Sequence, residues 1–169
     1  SQSNKAHETD KQNRVDLKVK NSRGEIIIIE LQYDKQLDYL KRILYGVSRA
    51  VTEHSEAGGI YADISKIISV SITFFNVGKG TDYLYRGCTK FYGINKNEEL
   101  QLSEKIKMFY KAESIDKVYP EYYIIKVKDF PEEIKDGLDE WIYFFKKTNI
   151  KEDFKAKGIK KAKEALDVM

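Results

Sequence analysis

The chain has one cysteine, Cys88, and two histidines, His7 and His54. A single cysteine excludes an intramolecular disulfide and any metal cluster built on several cysteines, and two histidines argue against a histidine-rich zinc site. No apolar run approaches membrane-spanning length, and no signal-peptide pattern opens the sequence. We therefore expect a cytoplasmic protein with no membrane partner.

Excess charge of either sign is also missing. The 30 basic and 27 acidic residues leave a net charge of only +3. Such a balance gives no overall field that would attract nucleic acid, so any DNA-binding surface has to be a local patch. With 169 residues, 41% of them hydrophobic and 34% charged, the composition predicts one soluble globular domain with its own core.

The most informative stretch runs from Arg14 to Tyr33. Two β-prone runs flank a short polar insert that contains Gly24, which predicts a β-hairpin. The first run alternates between apolar and charged residues. The second begins with four isoleucines, 26–29, and is too apolar for a half-exposed strand, so we expect it to be central and covered on both faces.

The register of this hairpin decides whether its acidic side chains meet. A three-residue loop, 22–24, with Gly24 in the left-handed conformation would set Asp16 directly opposite Glu30. Cross-strand neighbours on one face have Cβ atoms roughly 5 Å apart, and Gln32 points to the same side as Glu30. A loop of two or four residues would place the two acids on opposite faces.

Two carboxylates at this separation require compensation, because their charges repel each other. A divalent ion such as Mg²⁺ would bind them, since it prefers oxygen ligands. Alternatively, Lys18 or Lys20 neutralises them in an ordinary charge ladder between strands. The spacing alone favours the charge ladder.

The order of several motifs resembles a known family. An Asp, a Gly-containing turn and an apolar strand ending in Glu30-Leu31-Gln32 resemble the core of the PD-(D/E)XK nucleases, in one branch of which Gln replaces the final Lys. Later segments are similar to the recombination-promoting nuclease and transposase family: a helix with Arg42 and Tyr45, the Gly59–Tyr61 step, the strand 67–72, and residues 119–123 and 138–144. The likeness covers most of residues 14–148.

This resemblance implies an α/β fold with a mixed central β-sheet flanked by helices, a restriction-endonuclease-like core. It implies metal-dependent hydrolysis of DNA, with Mg²⁺ or Mn²⁺ as cofactor. Gln32 departs from the usual lysine, and an amide orients groups by hydrogen bonds without supplying charge. The implied site residues are catalytic Asp16, Glu30 and Gln32, metal-binding Asp16, Glu30 and Leu31 (through its carbonyl), and substrate-binding Arg42 and Arg49.

A helix is predicted from Asp34, as N-cap, to about Ser55. Arg42 lies off its apolar stripe and either pairs with Asp38 one turn back or, as the resemblance implies, approaches the scissile phosphate. Arg49 lies nearly on the same face as Arg42. The predicted apolar stripe consists of Leu37, Leu40, Ile43, Leu44, Val47 and Val51, and Tyr45 and Tyr61 are expected to pack in the core.

Further strands are predicted at 65–75, 83–92 and 122–127, whereas residues 95–118 leave helix and strand open. A helix is predicted to begin at Pro131 and to bury Leu138, Trp141, Ile142 and Phe145. Residues 149–169 predict a Lys-rich helix or tail that follows a nuclease-like domain at 14–148. Residues 1–13 predict a mobile lead-in, without the helix that usually precedes the first core strand of such nucleases.

The sequence is compatible with three functions. The first is a metal-dependent DNA endonuclease associated with recombination or transposon-like elements. The second is the same fold without catalysis, a DNA-binding or protein-interaction module, and the third is an interaction domain unrelated to nucleases. DNA is the expected partner in the first two, and a homodimer is compatible with the sequence.

Overall fold

The computed structural model describes residues 14–55 and 59–168, so the predicted lead-in at 1–13 lies outside the described residues. Five strands form one sheet: β1 (Arg14–Lys20), β2 (Ile26–Gln32), β3 (Ile67–Thr73), β4 (Leu84–Gly87) and β5 (Glu121–Lys126). The helices of this part of the chain are α1 (Tyr39–Glu53), α2 (Glu104–Tyr110), α3 (Ile115–Val118), α4 (Gly137–Lys147) and α5 (Ile159–Asp167).

The sheet has the order β1-β2-β3-β5-β4. Strands β2, β3 and β5 run parallel, while β1 and β4 pair antiparallel at the two edges. Helix α1 connects β2 to β3 and covers one face through Val47 and Ala50, whereas Ile142 of α4 belongs to the core on the other face. The predicted α/β fold with a mixed central sheet is confirmed. No helix within 14–55 or 59–168 is long and apolar enough to cross a membrane.

The β1–β2 hairpin has the predicted loop. Gly24 adopts φ +80°, and the amide of Asn21 donates to the carbonyl of Glu25 at 3.0 Å. Strand β2 is covered on both faces, since Ile26 belongs to the α1 core and Ile29 packs against the core on the α4 side. Both expectations are confirmed, and this hairpin fixes which polar side chains share a face.

Helix α1 begins four residues later than predicted, at Tyr39, with Asp38 rather than Asp34 at its N-cap. The predicted apolar stripe is confirmed in part. Ile43 and Val47 are buried and Val51 packs against the core, whereas the three leucines of the predicted stripe are exposed. A periodic pattern gives the spacing of a helical face, but the docking of the helix on the sheet selects which face is buried. The exposed leucines are Leu37, Leu40 and Leu44, and the buried residues are Tyr39, Ile43, Val47 and Ala50.

The later elements differ from prediction mainly at their ends. Helix α4 begins at Gly137, not Pro131, because Asp136 caps it by accepting a hydrogen bond from the amide of Asp139 at 3.0 Å. Of the side chains predicted to be buried there, Ile142 is buried, Trp141 and Phe145 are partly buried, and Leu138 is exposed. Residues 95–118 form α2 and α3, and the strand predicted at 83–92 shortens to β4.

The Lys-rich segment contains α5 and two deeply buried apolar residues. Phe154 and Ile159 form a core cluster with Phe144 of α4. Lys160 and Lys161 remain exposed. The predicted C-terminal helix therefore exists, and its apolar side packs against α4.

An ionic cluster that the sequence analysis missed lies at the start of β5. The buried Glu121 carboxylate accepts hydrogen bonds from Arg86 at 2.6 Å, from Tyr123 at 2.6 Å and from Lys66 at 2.9 Å. Burial opposes ionisation here, yet these three donors lower the pKa of Glu121 to about 2. The cluster joins β4 and β5 to Lys66, which directly precedes β3, and has a structural role, since all its charges are paired.

This depressed pKa predicts a pH-dependent contribution to stability. Glu121 stabilises the fold fully above its unfolded pKa of 4.5, and we expect that stabilisation to be lost as the pH falls towards 2. Its size is up to about 3 kcal/mol. Urea unfolding of wild type and Glu121→Gln should give curves that differ at pH 6 and converge near pH 2. A constant difference across that range would contradict the assignment.

Candidate active site

The predicted meeting of the two acids is confirmed. Asp16 of β1 stands directly opposite Glu30 of β2, and Gln32 follows on the same face of the sheet. The three differ in environment: Asp16 is exposed, Glu30 is 7% exposed and Gln32 is 1% exposed. The site therefore opens to solvent at the edge strand and is closed towards the middle of the sheet.

Arg42 brings a cation to the buried acid. Its Nε lies 3.5 Å from Oε1 of Glu30, and its Nη1 donates a hydrogen bond to Oε1 of Gln36. The alternative in which the guanidinium pairs with Asp38 is wrong, because the Asp38 contact is only a backbone one. Arg42 reaches the site because the buried stripe of α1 turns this residue towards β2.

The lysine charge ladder is not formed. Lys18 lies on the correct strand, but its Nζ contacts Glu53 of α1 at 2.5 Å. Lys20 makes no ion pair with the residues that the structure describes. The sequence pattern predicted a compensating lysine in β1, but the cation that pairs with Glu30 is Arg42 of α1.

Arg49 is held away from the acids. Its Nε and Nη2 donate to Oε1 of Glu53 at 2.9 and 2.6 Å. Lys18 and then Arg49 lower the pKa of Glu53 to about 2. Because α1 rises about 1.5 Å per residue, Arg49 lies roughly 10 Å along the helix from Arg42. Its predicted role in substrate binding stays a prediction, and its charge is already paired.

Gln32 has an unused acceptor in a buried position. Its Nε2 donates to the carbonyl of Asp34 at 3.2 Å, whereas its Oε1 accepts no hydrogen bond from the described part of the chain. A buried oxygen without a donor costs free energy, so such an atom in a native site calls for an explanation. A bound ion or an ordered water would satisfy it.

Strand β3 lines the site with two hydroxyls that the sequence analysis did not identify. Ser71 stands beside Glu30 and Thr73 beside Gln32, and both are buried. Thr73 donates to the carbonyl of Ile125 at 3.3 Å, so it serves the sheet. The signal was present in the run Ile67–Thr73, where every second residue after Ile67 carries a hydroxyl.

The expectation that Tyr45 and Tyr61 pack in the core is wrong. Tyr45 is 66% exposed on α1 and Tyr61 is 91% exposed in the short turn 61–63. Tyr45 lies three residues beyond Arg42 and therefore projects from the same side of the helix. An exposed aromatic ring is thus a neighbour of the candidate site.

The donor set suits a hard divalent cation, although it is sparse. Asp16, Glu30 and Gln32 present only oxygen acceptors and one amide, the ligand type that Mg²⁺ prefers. Residues 14–55 and 59–168 contain no group of three or more His, Cys, Asp or Glu side chains that could hold a metal. Two acids plus waters suffice for Mg²⁺, which keeps several waters. The carbonyl of Leu31, directly after Glu30, stays a predicted ligand.

Comparison with known proteins agrees with this arrangement. A family model described as PD-(D/E)XK nuclease family transposase matches residues 1–169. Neither the curated proteins nor the solved structures give a significant match. The family match over the whole length agrees with the hairpin that carries one acid on each strand, with the Glu-x-Gln strand end and with the mixed sheet. The chain therefore belongs to the PD-(D/E)XK nuclease family transposases.

Proposed function

We propose that this protein is a cytoplasmic, metal-dependent DNA endonuclease associated with recombination or transposon-like elements. The observation that carries the proposal is the pairing of Asp16 with Glu30 beside Gln32 on one face of the hairpin. Membership of a nuclease family supports the reaction class and DNA as the substrate. A homodimer is compatible with this proposal.

In this proposal Asp16 and Glu30 bind Mg²⁺ or Mn²⁺, with the carbonyl of Leu31 as a further ligand. The bound ion supplies Lewis-acid activation of the phosphoryl group and of the attacking water. Gln32 Oε1, which has no donor among the described residues, accepts a hydrogen bond from that water and orients it. Arg42, 19% exposed at its side chain, binds a phosphate oxygen beside Glu30.

The test of this function is nicking of supercoiled plasmid by the purified protein. We expect nicked product with Mg²⁺ or Mn²⁺ and none with chelator, since the ion provides the activation of water. Absence of any nicking under both metals would contradict the proposal.

A second candidate function is the same fold without catalysis, as a DNA-binding or protein-interaction module. Two observations favour it: Arg42 already compensates the charge of Glu30, and Gln32 brings no positive charge. DNA binding that needs no metal would mark this alternative.

Metal binding gives a prediction that is independent of DNA. Calorimetric titration with Mn²⁺ should show one site in wild type and none in Asp16→Ala, because the remaining acid cannot hold the ion alone. The matched control is Glu25→Gln, at the other end of the same hairpin, whose carboxylate bonds Asn21. Equal Mn²⁺ binding by wild type and Asp16→Ala would show that Asp16 is not a metal ligand.

A further inference from the structure

An open depression lies on α1 next to the acids. It has a volume of about 580 Å³ and is lined by Gln36, Leu37, Asp38, Lys41, Arg42 and Tyr45. Arg42 connects it to the catalytic acids, because the same guanidinium lies 3.5 Å from Glu30. A ligand strand bound along the depression would therefore pass Arg42, the residue that contacts Glu30.

The depression combines positive charge with an unused aromatic ring. Lys41 and Arg42 lie four and three residues before Tyr45, so each is a neighbour of the ring on the helix surface. Lys41 makes no ion pair within the described chain, and Tyr45 makes neither a ring contact nor a hydrogen bond there. A lysine and an arginine that line one depression with an exposed ring form the pattern that binds single-stranded nucleic acid, where cations follow the phosphates and rings stack on bases.

We propose that this depression binds an unpaired nucleotide next to the scissile phosphate, with the Tyr45 ring stacked on its base and Lys41 on its phosphate. The proposal rests on the proposed nuclease function and narrows its substrate to DNA with single-stranded character. In a duplex each base is stacked on its neighbours, so the ring has no free base face to meet. Leu37, 96% exposed at the same depression, adds apolar surface for a base or sugar.

Binding, rather than cleavage, tests this substrate class. The protein is titrated in Ca²⁺ against a labelled single strand and against the duplex of the same sequence, with fluorescence anisotropy as the readout. We expect the single strand to bind more tightly. Tyr45→Ala should weaken single-strand binding by about tenfold or more and duplex binding by less than about twofold, because stacking on one base is lost.

Three further variants make the result specific. Tyr45→Phe keeps the ring and should bind like wild type. Tyr61→Ala removes another exposed ring, one that does not line the depression, and should also bind like wild type. Lys41→Ala should weaken the binding of both the single strand and the duplex. It should also reduce the slope of log affinity against log salt concentration by about one unit. Circular dichroism verifies that each variant is folded, which the exposure of these side chains favours.

Equal loss of single-strand and duplex binding in Tyr45→Ala, or no loss, overturns the proposal. So does a change in oligomeric state with unchanged DNA binding, which would identify the depression as a protein-docking surface. Failure of the nuclease proposal is recognised separately: wild type would then bind single strands through Tyr45 yet leave plasmid uncut in Mg²⁺.

Discussion

Glu30→Gln is expected to reduce metal-dependent plasmid nicking to the level of chelator-treated wild type. The nicking rate should fall by about 100- to 1000-fold. Glutamine has nearly the same shape, so the substitution removes charge without opening a cavity in a position that is 7% exposed. The ion then has only Asp16 as an anionic ligand, and the phosphoryl group loses its activation.

The fold should tolerate this change. Arg42 loses an anionic partner but keeps Gln36, and its side chain is 19% exposed. The matched control is Glu53→Gln, which also removes one ion-paired carboxylate but stands at the opposite end of α1 from Arg42. Nicking should persist in that control. Equal nicking by wild type and Glu30→Gln would point to a contaminating nuclease and would withdraw the catalytic assignment.

Gln32→Lys is expected to raise nicking. The new ammonium group would lie where negative charge develops during phosphodiester hydrolysis, and removing a single stabiliser of this kind in other enzymes costs about 100- to 1000-fold. That range is the upper bound on the gain. Burial of the lysine is compensated here because Asp16 and Glu30 share the face.

Two substitutions at the same position separate charge from shape. Gln32→Met fills a similar volume without a donor or a charge, and Gln32→Ala removes the amide, so both should lower nicking below wild type. The readout is the rate of conversion of supercoiled to open-circular plasmid in Mg²⁺. An inactive wild type that Gln32→Lys fails to rescue would favour the non-catalytic alternative, in which Arg42 neutralises a vestigial acid.

The pairing of the two acids could be predicted from sequence because it depends on local information. One glycine at position 24 and the count of residues on either side determine the register, and the structure agrees. Ordinary alternation then places Gln32 on the same face. Residues distant in sequence are not needed to predict this register.

The contact between Arg42 and Glu30 could not be predicted in this way. It depends on how α1 docks on the sheet, and the exposed leucines at positions 37, 40 and 44 made the predicted apolar stripe too wide. The exposure of Tyr45 was missed for another reason, since aromatic rings usually pack in cores. The cluster around Glu121 was missed because its members come from β4, from β5 and from Lys66 before β3, and meet only after the sheet has formed.

The position of β1 at the edge of the sheet has a consequence for how the site assembles. Within the described chain this strand pairs only with β2, and its Leu17 is 51% exposed. Edge segments with little burial open at a lower free energy than the strands between them. Fraying of β1 would carry Asp16 away while Glu30 stays in the folded interior, so the two halves of the site differ in local stability. A ligand that needs both acids binds only the closed form and shifts the equilibrium towards it. Opening of one strand and loss of the ion would thus be a single event.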